Sequence, residues 1–162
     1  MKVRDIITER ITIPQGASGK ELYYLQDVAE MVAAELGLVG VDVVISFDPP
    51  YDLDKSQYGA TIGISKDGNP PERIFVLIDK DLSMGEKVLY LCHEMIHVEQ
   101  LASGRLLITN FDTNAKTIDG EWEGEKFEGR KYSKRNEWEV EAHTRDKKLR
   151  DYVLKRMGNF KG

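Results

Sequence analysis

Three histidines, His93, His97 and His143, and a single cysteine, Cys92, are all that this chain has of the imidazole and thiol side chains that hold borderline metals. One cysteine excludes an internal disulfide and suits a reducing cytosol. It stands next to His93, about 100° round a helix from it, and reads as a buried apolar residue rather than a ligand or nucleophile, which disfavours a Cys-His-His metal site. Long apolar runs are missing too: none approaches the roughly 20 residues that cross a bilayer. The start, Met1-Lys2-Val3-Arg4-Asp5, has no continuous apolar stretch of the secretory kind, so a cytoplasmic protein is expected. Nor is there an excess of positive charge. A net charge of -5 and a pI near 5.3 argue against unspecific nucleic-acid binding, which needs a broad basic surface. Arg145, Lys147, Lys148, Arg150, Lys155 and Arg156 cluster near the C-terminus, where they read as dipole compensation on a solvated helix face. Internal repeats and low-complexity tracts are absent. A hydrophobic share of 41% over 162 residues is ample for one core, and residues 1–162 read as one domain.

What is present is one stretch that names a chemistry, His93-Glu94-Met95-Ile96-His97. Residues four apart on a helix lie on the same face, so both imidazoles can reach a single cation, while Glu94 points to the side of the pair and can reach a metal-bound water. That is the division of labour in HExxH zinc hydrolases. The surrounding sequence predicts a helix. Ser83 followed by Glu86 is a capping-box pattern, and Gly104 is a natural left-handed terminator. Glu86, His93, His97 and Gln100 fall on one polar stripe, with Val88, Leu91, Cys92, Met95 and Val98 roughly opposite.

A catalytic zinc site needs a third protein ligand and an open position. The metzincin spacing would place a glycine and a histidine soon after His97, and Val98 to Ser103 supplies neither. The best source is a second helical segment opening at Asn136 and running to about Met157. Ala142, Leu149 and Val153 define its apolar stripe, with Trp138 near one edge and Glu139 near the other. Glu139 is therefore the leading ligand, ahead of His143 and Glu141. Two other uses compete: Glu139 as capping partner of an Asn136 N-cap, and His143 as a group supporting a ligand or an oxyanion. Tyr132, His143 and Arg145 are the candidates for stabilising an oxyanion.

The remaining chain reads as mixed α and β. An amphipathic helix is expected over Gly19 to Leu38, then a strand over Val41 to Phe47. A loop with Pro49, Pro50 and Gly59 precedes strands over Thr61 to Ser65 and Ile74 to Asp79, which flank the breaker run Asp67 to Pro71. Between the two site helices, Thr109 to Tyr132 has Phe111, Trp122, Phe127 and Tyr132 and a hairpin-turn signal at Asp119-Gly120. This suggests a β-ribbon whose aromatics serve satellite packing or roof a cleft.

HEMIHVEQ, followed some forty residues later by WEVEAH, resembles the compact HExxH metallopeptidases of the SprT-like and putative phage groups, zincins whose third ligand is a glutamate in an E-x-E-A or E-x-x-A-D helix. The phage-type group is the nearer, since the third histidine and zinc ribbon of SprT-like proteins are not present here in matching form. The resemblance implies His93, His97 and Glu139 as zinc ligands and Glu94 as general base. It implies an α+β, minimal zincin-like domain: an N-terminal helix, a small three-stranded sheet, the HExxH helix and a C-terminal helix carrying the third ligand. The strand before the catalytic helix would then lie along the cleft, and an extended peptide could pair with it near Phe75 and Leu77. The function expected is zinc-dependent hydrolysis of a peptide or protein substrate. The alternatives are a metal-stabilised protein-binding module of the viral-effector kind and a zinc hydrolase of a non-peptide amide.

Overall fold

The computed structural model describes residues 10–13, 19–47 and 58–162. The chain start at Met1 to Asp5 and the loop around Pro49 and Pro50 lie outside them. The order is β1 (Arg10–Thr12), α1 (Gly19–Glu35), β2 (Asp42–Ser46), β3 (Gly59–Ile62), β4 (Arg73–Ile78), α2 (Met84–Ala102), β5 (Leu106–Asp112), β6 (Thr117–Trp122), β7 (Glu125–Lys131) and α3 (Glu137–Met157). It is an α+β arrangement of three helices and two sheets among the described residues.

The first sheet runs β1-β2-β4-β3, with β1, β2 and β4 parallel and β3 antiparallel to β4. It has one strand more than expected, because β1 is only three residues long and carries no alternation to detect. In β2 and β4 the alternation is clear. Val43, Ile45, Ile74, Val76 and Ile78 are buried against the helices, while Phe75 faces the opposite, open side. Leu25, Val28, Ala29 and Val32 of α1 and Leu91, Met95 and Ile96 of α2 join the same core. Truncating such a side chain, Leu91→Ala for example, costs about 2–5 kcal/mol.

This order corrects where a peptide could pair. The strand preceding α2 is β4, and β4 is enclosed between β2 and β3, so Phe75 and Leu77 border no free edge. The edge beside α2 is β3, which ends at Ile62 rather than Ser65. Beyond it the Ser65 amide donates to the Ile108 carbonyl of β5 at 2.8 Å, joining the first sheet to the second.

The second sheet, β5-β6-β7, is an antiparallel meander. Asp119 and Gly120 lie inside β6 at irregularities of pairing, not at a turn. A Cβ on Gly120 would sit 1.9 Å from the Leu107 carbonyl oxygen, so glycine is needed there for close strand approach. The real two-residue turn is Glu123-Gly124, both with positive φ, 49° and 85°, as a primed hairpin turn requires. Trp122 and Phe127 pack on Trp138 of α3, with ring centroids 6.0 and 5.2 Å away, so these two aromatics do serve satellite packing. Among the described residues no helix is long and apolar enough to cross a membrane.

Candidate metal centre

The HExxH helix begins as its sequence dictates. Ser83 Oγ accepts from the Glu86 amide at 3.2 Å and Glu86 Oε2 accepts from the Ser83 amide at 3.0 Å, a reciprocal cap. It ends at Gly104, with φ +77°. The polar stripe is not left to solvent. Every residue from Leu91 to Val98 is buried, because α3 lies across the histidine face. In α3 the buried positions are Trp138, Glu139, Ala142, Asp146, Leu149 and Val153. Glu139, Ala142 and Asp146 follow at intervals of three and four, so two carboxylates ride on one helical face toward the histidines. Asn136 sits at the N-cap but makes no side-chain cap bond, and Glu139 is turned to the histidines instead.

Three ligand atoms converge. His93 Nε2 and His97 Nε2 lie 3.3 Å apart, His93 Nε2 is 3.4 Å from Glu139 Oε2, and His97 Nε2 is 3.2 Å from Glu139 Oε1. The residues are 7%, 6% and 5% exposed, so these contacts are hidden from bulk water. Two atoms each ~2.0–2.1 Å from a tetrahedral zinc lie about 3.3 Å apart. The spacing therefore fits one ion without rearrangement.

The tautomers fit as well. His93 Nδ1 donates to Asp146 Oδ2 at 3.1 Å. The Gln100 amide donates through Nε2 to the Trp138 carbonyl at 3.0 Å, which turns its Oε1 toward His97 Nδ1 at 2.8 Å. With both Nδ1 atoms donating, each neutral ring presents its Nε2 lone pair to the other and to a carboxylate, an electron-rich focus that calls for a cation. Without an ion, a proton answers that same focus, and an ion would have to displace it. Burial alone would lower His97, but the bond to Glu139 and the charges of Glu94 and Glu139 outweigh it and hold it at about 9. His93 is raised against burial in the same way, chiefly by Glu139. Burial would raise Glu139, yet its bonds to His93 and His97 hold it well below the usual carboxylate range.

Glu94 stands apart from this triad. Its carboxylate accepts from Thr61 Oγ1 on β3, which also bonds the Glu94 carbonyl. Burial pushes the Glu94 carboxyl up, although His97, His93 and Thr61 pull the other way. Gly59 on the same strand leaves room for it, since a Cβ there would lie 2.9 Å from Glu94 Oε1.

The other candidates divide. Tyr132 donates its hydroxyl to Glu139 Oε1 and so belongs to the cluster. His143 has a half-exposed side chain, its ring centroid 4.5 Å from that of His93 and its Nδ1 3.5 Å from Asp146 Oδ2. His93, His143 and Asp146 thus form a second group with ligand-like spacing, but His143 is exposed and Asp146 Oδ2 is already engaged by His93. Glu141 pairs with Arg105 and Arg145, and Arg145 with Glu141 and Glu99 at 2.9 and 3.5 Å, so neither faces the triad. Sequence reasoning missed Asp146, Gln100's role and Thr61. Asp146 falls seven residues after Glu139, two turns along the same face, and that spacing was the available signal.

No protein-family model, no curated protein and no solved structure matches the chain.

Proposed function

We propose that this chain is a zinc-dependent metallopeptidase of the HExxH zincin type, acting on a peptide or protein substrate. The observation that carries the reading is the buried convergence of His93 Nε2, His97 Nε2 and the Glu139 carboxylate, with the Glu94 carboxylate beside it. His93, His97 and Glu139 would hold the ion. When bound, zinc supplies Lewis acidity, polarising a carbonyl and acidifying water.

This chain's residues do the rest. Glu94, raised by burial, takes the proton from the attacking water as the carbon–oxygen bond forms, and returns it to the amine nitrogen as the carbon–nitrogen bond breaks. Thr61 holds that carboxylate by one oxygen and leaves the other available. Asp146 and Gln100 fix the imidazoles in the ligating tautomer. Of the three oxyanion candidates, Tyr132 bonds Glu139 and His143 lies against His93, and these two are the ones that border the triad. The outer edge of β3, with which no other described strand pairs, offers backbone groups to an extended substrate.

Glu94→Gln, loaded with zinc, is the test. It should keep one zinc per chain and lose hydrolysis of a broad peptide library that the wild type cleaves. A wild type that holds zinc and cleaves nothing in that library would overturn the reading in favour of a metal-stabilised binding module.

A further inference from the structure

A cavity of about 490 Å³ lies beside the candidate centre and is shared between three parts of the fold. It is lined by His97 and Glu139, by β3, whose outer edge pairs with no other described strand, and by the second sheet through Ile108 and Phe111 of β5 and Ile118 of β6. Leu101 and Leu106 line it where α2 passes into β5. Apart from His97 and Glu139, no residue lining it carries a charge at neutral pH.

Four of the large apolar or aromatic side chains left exposed, Ile62, Ile64, Phe111 and Tyr132, all border this one cavity. Scattered exposure of such residues means little, but a cluster rimming a hollow marks a binding surface. The wall is also shaped on purpose. The register of β5 slips between Ile108 and Asn110, opposite the close approach of Gly120 to Leu107, and such bulges re-aim neighbouring side chains.

We infer that this cavity takes one bulky apolar side chain of the substrate, Leu, Ile, Met or Phe, next to the bond cleaved, so that the β5–β6 sheet acts as the specificity wall. The inference rests on the metallopeptidase reading. A substrate strand laid along β3 points alternate side chains the same way, and the one nearest His97 and Glu139 meets the hollow. An acidic or basic side chain there would leave water with no charged partner beyond His97 and Glu139, which the ion would occupy.

Two measurements test this separately. Zinc-loaded wild type is incubated with a peptide library and the cleavage sites are read by mass spectrometry. Fluorescence anisotropy then follows labelled peptides, varied at the selected position, on zinc-loaded Glu94→Gln. Cleavage sites should show a large apolar residue at one fixed position beside the scissile bond. Alanine there should lower kcat/KM about 10- to 100-fold, as loss of one buried side chain implies, and Asp or Lys more. Ile108→Trp, which fills the wall, should shift the preference toward Ala. Ile64→Trp at the exposed rim repeats the test should the first variant fold poorly. Cleavage indifferent to side-chain size at every position overturns the inference and leaves the hydrolase standing. Apolar-selective binding without any cleavage does the reverse.

Discussion

Zinc should stabilise the folded chain strongly, and only through the three residues of the triad. The ligand atoms already stand 3.2–3.4 Å apart, so binding need not first organise the site. Metal that binds the native state alone adds RT ln(1 + [L]/Kd), about 2.7 kcal/mol at a hundredfold excess over Kd. The unfolded chain competes weakly, since it has three histidines and one cysteine to offer. For a chain of this size each kcal/mol moves Tm by about 2–4 °C, so the rise should be roughly 5–11 °C. The assay is thermal unfolding in chelator and in buffered zinc, repeated for His93→Ala, His97→Ala and Glu139→Ala. Each substitution should abolish most of the rise, whereas Glu141→Ala, whose carboxylate serves Arg105 and Arg145, should keep it. A wild-type Tm indifferent to zinc, or a rise that survives His97→Ala, would refute the reasoning.

Other outcomes follow from the same geometry. Asp146→Asn removes the carboxylate that orients His93, and zinc affinity by chelator competition should fall about 10- to 100-fold; an unchanged affinity would deny Asp146 that role. Gly59→Ala would drive a methyl to within 2.9 Å of Glu94 Oε1, so kcat should drop while zinc content stays at the wild-type level. Glu141 is held below the ordinary carboxylate value, first by its bond to Arg105, and Glu141→Gln should cost about 1 kcal/mol at pH 7 by denaturant titration. A depressed folded pKa stabilises above the unfolded value, roughly 4.3, so the difference should vanish as pH falls through and below that value. Cys92 is fully buried and its thiol is pushed up to about 12, first by burial, so a thiol reagent at pH 8 should label it only on unfolding; rapid labelling of the native protein would contradict its packing.

The parts legible in the sequence are those written in a single period. His93 and His97 announce themselves by a spacing of four, the Ser83–Glu86 cap by a spacing of three, and Glu139 by its place on the apolar stripe of α3, all of which the structure carries. Asp146 obeys the same period, but it sits between Arg145 and Lys147 and so looks like part of a solvated charge run. Thr61 meets Glu94 across 33 residues, and no local pattern encodes such a contact. Strand order is equally silent. Alternation shows that Ile74, Val76 and Ile78 face the core, yet it does not say which neighbour lies on either side, and β3 rather than β4 takes the edge. Asp119-Gly120 misled because glycine answers two demands, positive φ in a turn and close backbone approach in a sheet, and here it answers the second.

Glu94 offers the sharpest distinction between a hydrolase and a mere metal-stabilised fold. It is a buried carboxylate that is no member of the converging triad, that among the described residues accepts from the Thr61 hydroxyl, and whose pKa is raised chiefly by burial. A raised folded pKa means that the native state resists ionising it, so the group destabilises the fold above the unfolded carboxylate value and ceases to do so as pH drops below it. For a module that only grips a partner, such a residue is a liability with no return. For a hydrolase it is the base. Metal-free Glu94→Gln should therefore be more stable than wild type at pH 7 in denaturant titration, with the gap closing toward pH 4. Activity should be lost in the same variant, the trade that the proposed role of Glu94 as base implies. If the substitution instead destabilises the chain at pH 7, the carboxylate serves the fold, and its assignment as the base loses its physical ground.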